Sequence, residues 1–572
     1  VTAGLLLTLG VILAAGPVVG ASPVPEATSA PAPSAAPSPS AEPEASFDPT
    51  VGTASPIPSE SPLAGSPLPS GSPPPSPAPS VLPPGVERPD IIVLLLDDFG
   101  QIDDRVWERL PTIRRLFLES GVRFTDMVGN DPLCCPGRAN LLTGQWAEHH
   151  GVIRNDGRLF DPRVSLATEL QSVGYWTGIF GKYFNQTPLL QRKWPPGWDR
   201  AFIFGGNYWN FPAWDNGRLQ RFGGEPEDYS TTVVQRKVLE ALATAPADQP
   251  RFLWLAPFAV HGGWDAKRTQ HSLQPWPAPK DAGSPACADL PRWSTPAHFE
   301  FDVSDKPDHL WNRKLVRSWN LTRVCESLLS VDRMLATTLI ALETQGRPEP
   351  LVILSADNGM AWGAHRWWAK FVPFSTPVPF FLRWPQVLGD APATVETTVS
   401  NIDVAPTLCA IAGCRMGPFP NGHEVDGIDL LPLLLRVGEA NLGAPPGAVR
   451  TLPDGVAREA DGRITGLRTG REVVFTEHLT RDGVRRMRPW RGLQTTDEAS
   501  IGRWVYTIYI DRTEELYDIS GGPCWEWQPG EPGDPCQLLN LADDPTYADL
   551  KAILAATLRG RSREPMKIAL PE

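Results

Sequence analysis

Two short aliphatic runs, far apart in the chain, constrain its fold more than any other feature. Ile91–Leu96 reads Ile-Ile-Val-Leu-Leu-Leu, and residues 350–355 read Pro-Leu-Val-Ile-Leu-Ser. Neither alternates polar with apolar, so each reads as a strand buried on both faces of an α/β sheet. Each run ends in oxygen-bearing side chains: Asp97 and Asp98 after the first, Asp357 and Asn358 after the second. Alone, either pair reads as a turn after a strand. Open α/β sheets, however, place their ligands at the carboxyl ends of central strands. Two such strands can therefore bring carboxylate and amide oxygens to one divalent cation, Ca²⁺ or Mg²⁺ rather than zinc.

Composition separates this globular part from what precedes it. Residues 5–15 are apolar and uncharged, and Val19-Gly20-Ala21 offers small residues for cleavage. Residues 1–21 thus read as a secretory signal peptide or a retained membrane anchor. Residues 22–88 hold 20 of the chain's 63 prolines among Ser and Ala. Such a segment buries too little to offset its ordering entropy, so it reads as a disordered linker. The expected location is extracytoplasmic: secreted, periplasmic or at the cell surface, with the N-terminal segment as a membrane or cell-wall tether. The net charge of −13 disfavours nucleic acid as a partner, and an anionic substrate needs a concentrated positive site. Eight cysteines are few for a disulfide scaffold of this size, but an exported chain can pair some. Cys524 with Cys536 is the first candidate pair and Cys409 with Cys414 the second.

The stretch from Cys134 to Gly144 reads Cys-Cys-Pro-Gly-Arg-Ala-Asn-Leu-Leu-Thr-Gly. Pro136 suits the first turn of a helix, residues 138–142 can continue it, and Cys134 then sits at the positive end. That presents a nucleophile to an anion; the plainer reading is a buried or disulfide-bonded thiol. The order Cys-x-Pro-x-Arg followed by Leu-Thr-Gly resembles the signature of type I sulfatases, whose first cysteine is oxidised to formylglycine. Most of that family has Ser where this chain has Gly137.

The resemblance implies a metal set of Asp97, Asp98, Asp357, Asn358 and residue 134, holding Ca²⁺ with Mg²⁺ as the alternative. It also implies Arg138, Lys182, His261 and Lys370 as catalytic groups, and a formylglycine-generating enzyme as maturation partner. Gly181-Lys182-Tyr183-Phe184-Asn185 is similar to N-acetylglucosamine-6-sulfatases, with Phe184 where much of the family has a histidine. Asn185 and His150 are carried over as substrate-binding residues. His365, Asp403 and Asp426 read as scaffold.

The fold implied is α/β and alkaline-phosphatase-like: a large mixed central sheet flanked by helices, with a smaller C-terminal antiparallel sheet plus helix. Residues 89–440 would form the catalytic domain and 441–572 the C-terminal subdomain. Strand-like runs at 472–476, 492–495 and 503–510 precede a helix near 547–558. The least family-like text lies between Asp265 and Asn312. The activity implied is hydrolysis of a sulfuric ester on a sulfated small molecule, sugar or glycan. The alternatives are a phosphodiester or phosphonate monoester hydrolase with the same metal cradle, and an inactive surface protein that binds sulfated glycans.

Overall fold

The computed structural model describes residues 82–568 apart from 103, 187–193, 446, 482–486 and 562–566. The signal and most of the linker lie outside the described residues. Residues 82–88, read from composition as the linker's end, pack on the globular part. Leu82 is buried, and Arg88 donates to the Val173 carbonyl at 2.6 Å.

Four parallel strands form the centre of a fourteen-stranded mixed sheet, in the order Leu351–Ala356, Ile91–Leu96, Arg251–Ala256, Trp176–Lys182. Every residue in the four is buried, which is why their sequences are apolar without alternation. Antiparallel strands extend one side, where Pro377–Arg383 pairs with Leu351–Ala356 and Val122–Val128 with Pro377–Arg383; on the other side Arg200–Phe204 pairs parallel with Trp176–Lys182. The short strands Arg450–Thr451, Ala457–Arg458 and Arg463–Thr465 continue this large sheet.

Helices flank the sheet. Leu321–Thr344, free of Gly and Pro, starts where the Asn320 side chain accepts the Arg323 N–H at 3.4 Å, an N-cap that satisfies one orphan donor. It packs against Ser230–Leu242, whose apolar residues recur at helical spacing.

The strands Val473–His478, Trp490–Thr495, Trp504–Tyr509 and Glu514–Asp518 form a separate antiparallel sheet. Leu554 and Leu558 of helix Ala548–Arg559 close its core with Phe475, Leu493 and Leu516. Both expected cysteine pairs are disulfides, and Cys287–Cys325 is a third. No helix among the described residues is long and apolar enough to cross a membrane.

Candidate active site

Strand register brings the polar residues together. Leu96 pairs with Ala356, so Asp97 and Asp357 leave the sheet side by side. Leu255 pairs with both Leu94 and Phe180, which sets Lys182 level with Leu96 across the intervening strand. That strand ends at Ala256, and the chain beyond it reaches His261. Asp98 has φ 58°, a left-handed conformation that Asp adopts more readily than most residues. Its N–H donates to Asp357 Oδ1 at 3.0 Å.

Helix Cys134–Thr143 begins at the motif cysteine and is wholly buried. A Cβ on Gly137 would lie 1.9 Å from the Asp357 carbonyl oxygen. The helix therefore meets the end of strand Leu351–Ala356 backbone to backbone, and the residue found there is the one without a side chain.

The charged groups interlock. Arg138 donates through Nε to Asp357 Oδ2 at 2.9 Å and through Nη1 to the Lys182 carbonyl at 2.5 Å. Lys182 Nζ donates to both Asp97 oxygens, at 2.8 and 2.7 Å. Lys370 Nζ donates to Asp98 Oδ1 and, at 2.7 Å, to Cys134 Sγ. Cys134 Sγ lies 3.6 Å from Asp98 Oδ1, and His261 Nε2 lies 3.2 Å from Asp98 Oδ2.

Burial works against the charge on Asp97, but Lys182, His261 and Arg138 outweigh it and hold this carboxyl below its ordinary range. His261 and Lys370 do the same for Asp98. Asp357 is pushed up, because burial and the neighbouring carboxylates exceed the pull of Arg138.

Asn358 is buried, and its Oδ1 has no hydrogen-bond partner among the described residues while its Nδ2 donates to Asp98 at 3.0 Å. Ligand atoms of Asp97, Asp98, Cys134 and His261 all lie within 4.8 Å of one another. An unpartnered buried amide oxygen beside clustered carboxylates fits a hard divalent cation.

Sequence reasoning missed one neighbour. Asn155, on the loop after Gly151, accepts the Cys135 N–H at 2.9 Å and points Nδ2 at Cys134 Sγ, 3.9 Å away. It satisfies an amide that the helix start leaves orphaned. Its only sequence trace is an Asn in a loop. Asn185 donates its N–H to Cys135 Sγ at 3.3 Å, beside the cluster.

His150 is bonded elsewhere. Its Nε2 meets Asn140 Nδ2 at 3.1 Å and its Nδ1 accepts the Val152 N–H at 3.0 Å. Burial pulls its pKa down to about 3, so it is neutral at working pH. Phe184 packs on Phe160 and Tyr183, both at 4.6 Å between ring centres, and puts an apolar wall at its position. His365 is buried on Glu300 at 2.6 Å. Asp403 binds Arg471 at 2.6 Å, and Asp426 binds His149 at 2.8 Å; these links hold scaffold segments together.

The family profile described as Sulfatase matches residues 89–414, more than half of the chain. The chain belongs to the sulfatase family. An arylsulfatase of Volvox carteri is 26% identical over 85% of this chain and 77% of its own length. Human N-acetylglucosamine-6-sulfatase is 26% identical over 63% of this chain, which spans 66% of that protein. A structure solved in complex with its substrate D-glucosamine-2-N,6-O-disulfate superposes with a TM-score of 0.62 at 18% identity, covering 83% of this chain and 97% of that one. The fold of this sulfatase is thus the alkaline-phosphatase-like one, and its reaction class is sulfuric ester hydrolysis.

In this sulfatase an unoxidised Cys134 would be inert. Burial pushes its thiol up to about 12 and that of Cys135 to about 11, and the other six cysteines are paired. Protein that keeps both thiols should therefore show no iodoacetamide-reactive thiol at pH 8. Two should appear on denaturation without reductant, because the thiolate is the reactive form. Native labelling of Cys134 would contradict this burial.

Proposed function

We propose that this chain removes sulfate from a sulfated sugar, borne on an exported or extracellular glycan, with formylglycine at position 134 and a divalent cation, Ca²⁺ by preference. The observation that carries the reading is the meeting of Cys134 Sγ with Lys370 Nζ at 2.7 Å and Asp98 at 3.6 Å, inside a cluster of three carboxylates and three permanent cations.

Asp97, Asp98, Asp357 and Asn358 would hold the cation, which supplies Lewis acidity toward a sulfate oxygen. Oxidised to formylglycine, residue 134 supplies a hydrate hydroxyl as nucleophile, which a thiol pushed up to about 12 does not. Arg138 and Lys182 hold Asp357 and Asp97 in place and offset their charge, so that the single negative charge of a sulfate ester can enter a buried site. Lys370 spans Asp98 and residue 134 and is positioned to bind a sulfate oxygen. His261, with its side chain 31% exposed, faces the open side. Its Nδ1 lies 2.6 Å from the Gly262 carbonyl, which orients Nε2 to give the departing alcohol its proton. Phe184, buried on Phe160 and Tyr183, offers no proton-transfer group at its position.

Turnover of 4-methylumbelliferyl sulfate against bis-p-nitrophenyl phosphate tests the reaction class. Sulfate should be preferred by at least about 100-fold in kcat/KM, and a preference for the phosphodiester would overturn the reading. Peptide mass spectrometry of protein from its own host should show the Cys134 peptide lighter by about 18 Da: sulfur lost, oxygen gained, two hydrogens removed. An intact thiol there would favour a glycan-binding protein. Dialysis against EDTA should abolish activity and lower the melting temperature by several degrees, with Ca²⁺ restoring both. Full activity after chelation would remove the cation from the mechanism.

A further inference from the structure

Beside the loop that delivers Lys370 lies a strip of side chains that the reaction does not use. Residues 311–317 read Trp-Asn-Arg-Lys-Leu-Val-Arg, three cations in five positions of a chain whose net charge is −13. The strip is laid along the turn that precedes Lys370. Val316 Cγ1 sits 2.5 Å from where a Cβ on Gly363 would be. The Arg313 guanidinium lies 4.8 Å over the Trp367 ring. Arg366 donates to the carbonyls of Trp311 at 3.4 Å and Phe301 at 2.5 Å, which draws two segments together. Three residues beyond Trp367, Lys370 touches Cys134.

The outer side of the strip is open. Trp311 is 49% exposed and Phe301 67%. Lys314 and Arg317 are exposed, and among the described residues neither has a hydrogen bond or an ion pair. The acid nearest in sequence, Asp308, is taken by Arg488 at 2.9 Å. Lys314 and Arg317, without a carboxylate partner and on the segment packed along the turn that precedes Lys370, form a local positive field that attracts anions.

We infer that this strip is a second anion subsite, binding a further sulfate or carboxylate of a polyanionic glycan whose scissile sulfate lies at residue 134. Lys314 and Arg317 meet the charge, and Trp311 and Phe301 offer faces to the sugar rings. The inference rests on the sulfated-glycan reading above and names what holds the rest of that substrate.

Binding of a fluorescent heparin tetrasaccharide to the whole protein tests it, with 4-methylumbelliferyl sulfate turnover measured in parallel. Lys314→Ala/Arg317→Ala should raise Kd about 10-fold at low salt. The gap should close to within about twofold at high salt, as screened charge contacts require. Melting temperature and aryl sulfate kcat/KM should not change, and Lys314→Arg/Arg317→Lys should bind like wild type. A Kd for the double alanine within twofold of wild type at low salt overturns the subsite. So does a wild type that does not bind the tetrasaccharide, or an equal loss in aryl sulfate turnover. If wild type binds the tetrasaccharide in this charge-dependent way yet hydrolyses no aryl sulfate, the subsite stands and the hydrolase reading falls.

Discussion

Cys134→Ala should bring aryl sulfate turnover down to background, a loss of at least about 10⁴-fold in kcat, while the protein stays folded. Alanine keeps the helix start intact, since only Sγ is removed from a residue 1% exposed. The neighbours keep their partners: Lys370 remains bonded to Asp98, and the Cys135 N–H remains on Asn155. The lost packing is that of one sulfur atom, about 1 kcal/mol, which moves the melting temperature by a few degrees at most. Circular dichroism melting beside a turnover assay reads both. Residual activity within about 100-fold of wild type would mean that residue 134 is not the nucleophile's origin.

Lys182→Met should damage stability and activity together. The ammonium and both Asp97 oxygens are buried, at 2.7 and 2.8 Å. Arg138, the next cation to Asp97, approaches only to 3.8 Å. Methionine fills the volume but leaves a buried carboxylate short of a partner, which costs roughly 3–5 kcal/mol. Turnover should fall by at least about 10³-fold. Asp97 is also a candidate cation ligand, so Ca²⁺ should raise the variant's melting temperature by more than it raises the wild type's. Equal shifts would place Asp97 outside the cation's reach.

What the sequence determined by itself was the set of local structures and the chemistry each carries. The aliphatic runs ending at Leu96 and Ser355, the helix opened by Cys134 and Pro136, the C-terminal strands and helix, and the short-range cysteine pairs were all legible. Each follows from burial period, turn chemistry or a short loop, and these act over a few residues. The donor set was legible too, because carboxylate and amide oxygens suit hard ions wherever they stand.

Only the tertiary structure decided which of these residues meet. The register Leu96 to Ala356 puts Asp97 beside Asp357; a shift by one residue would turn alternate side chains to the other face. Lys182 and His261 join through strand order, a non-local property. Asn155 shows the cost of reading motifs alone. The histidine near the motif is held by Asn140 and the Val152 amide, whereas an unremarkable loop asparagine touches the cysteines. Cys287 and Cys325 were likewise unpaired in sequence, since a separation of 38 positions closes only when a loop folds back on a helix. Close approach is a matter of backbone packing: Gly137 is small because the Asp357 carbonyl lies 1.9 Å from where its Cβ would be, and no local pattern encodes that distance.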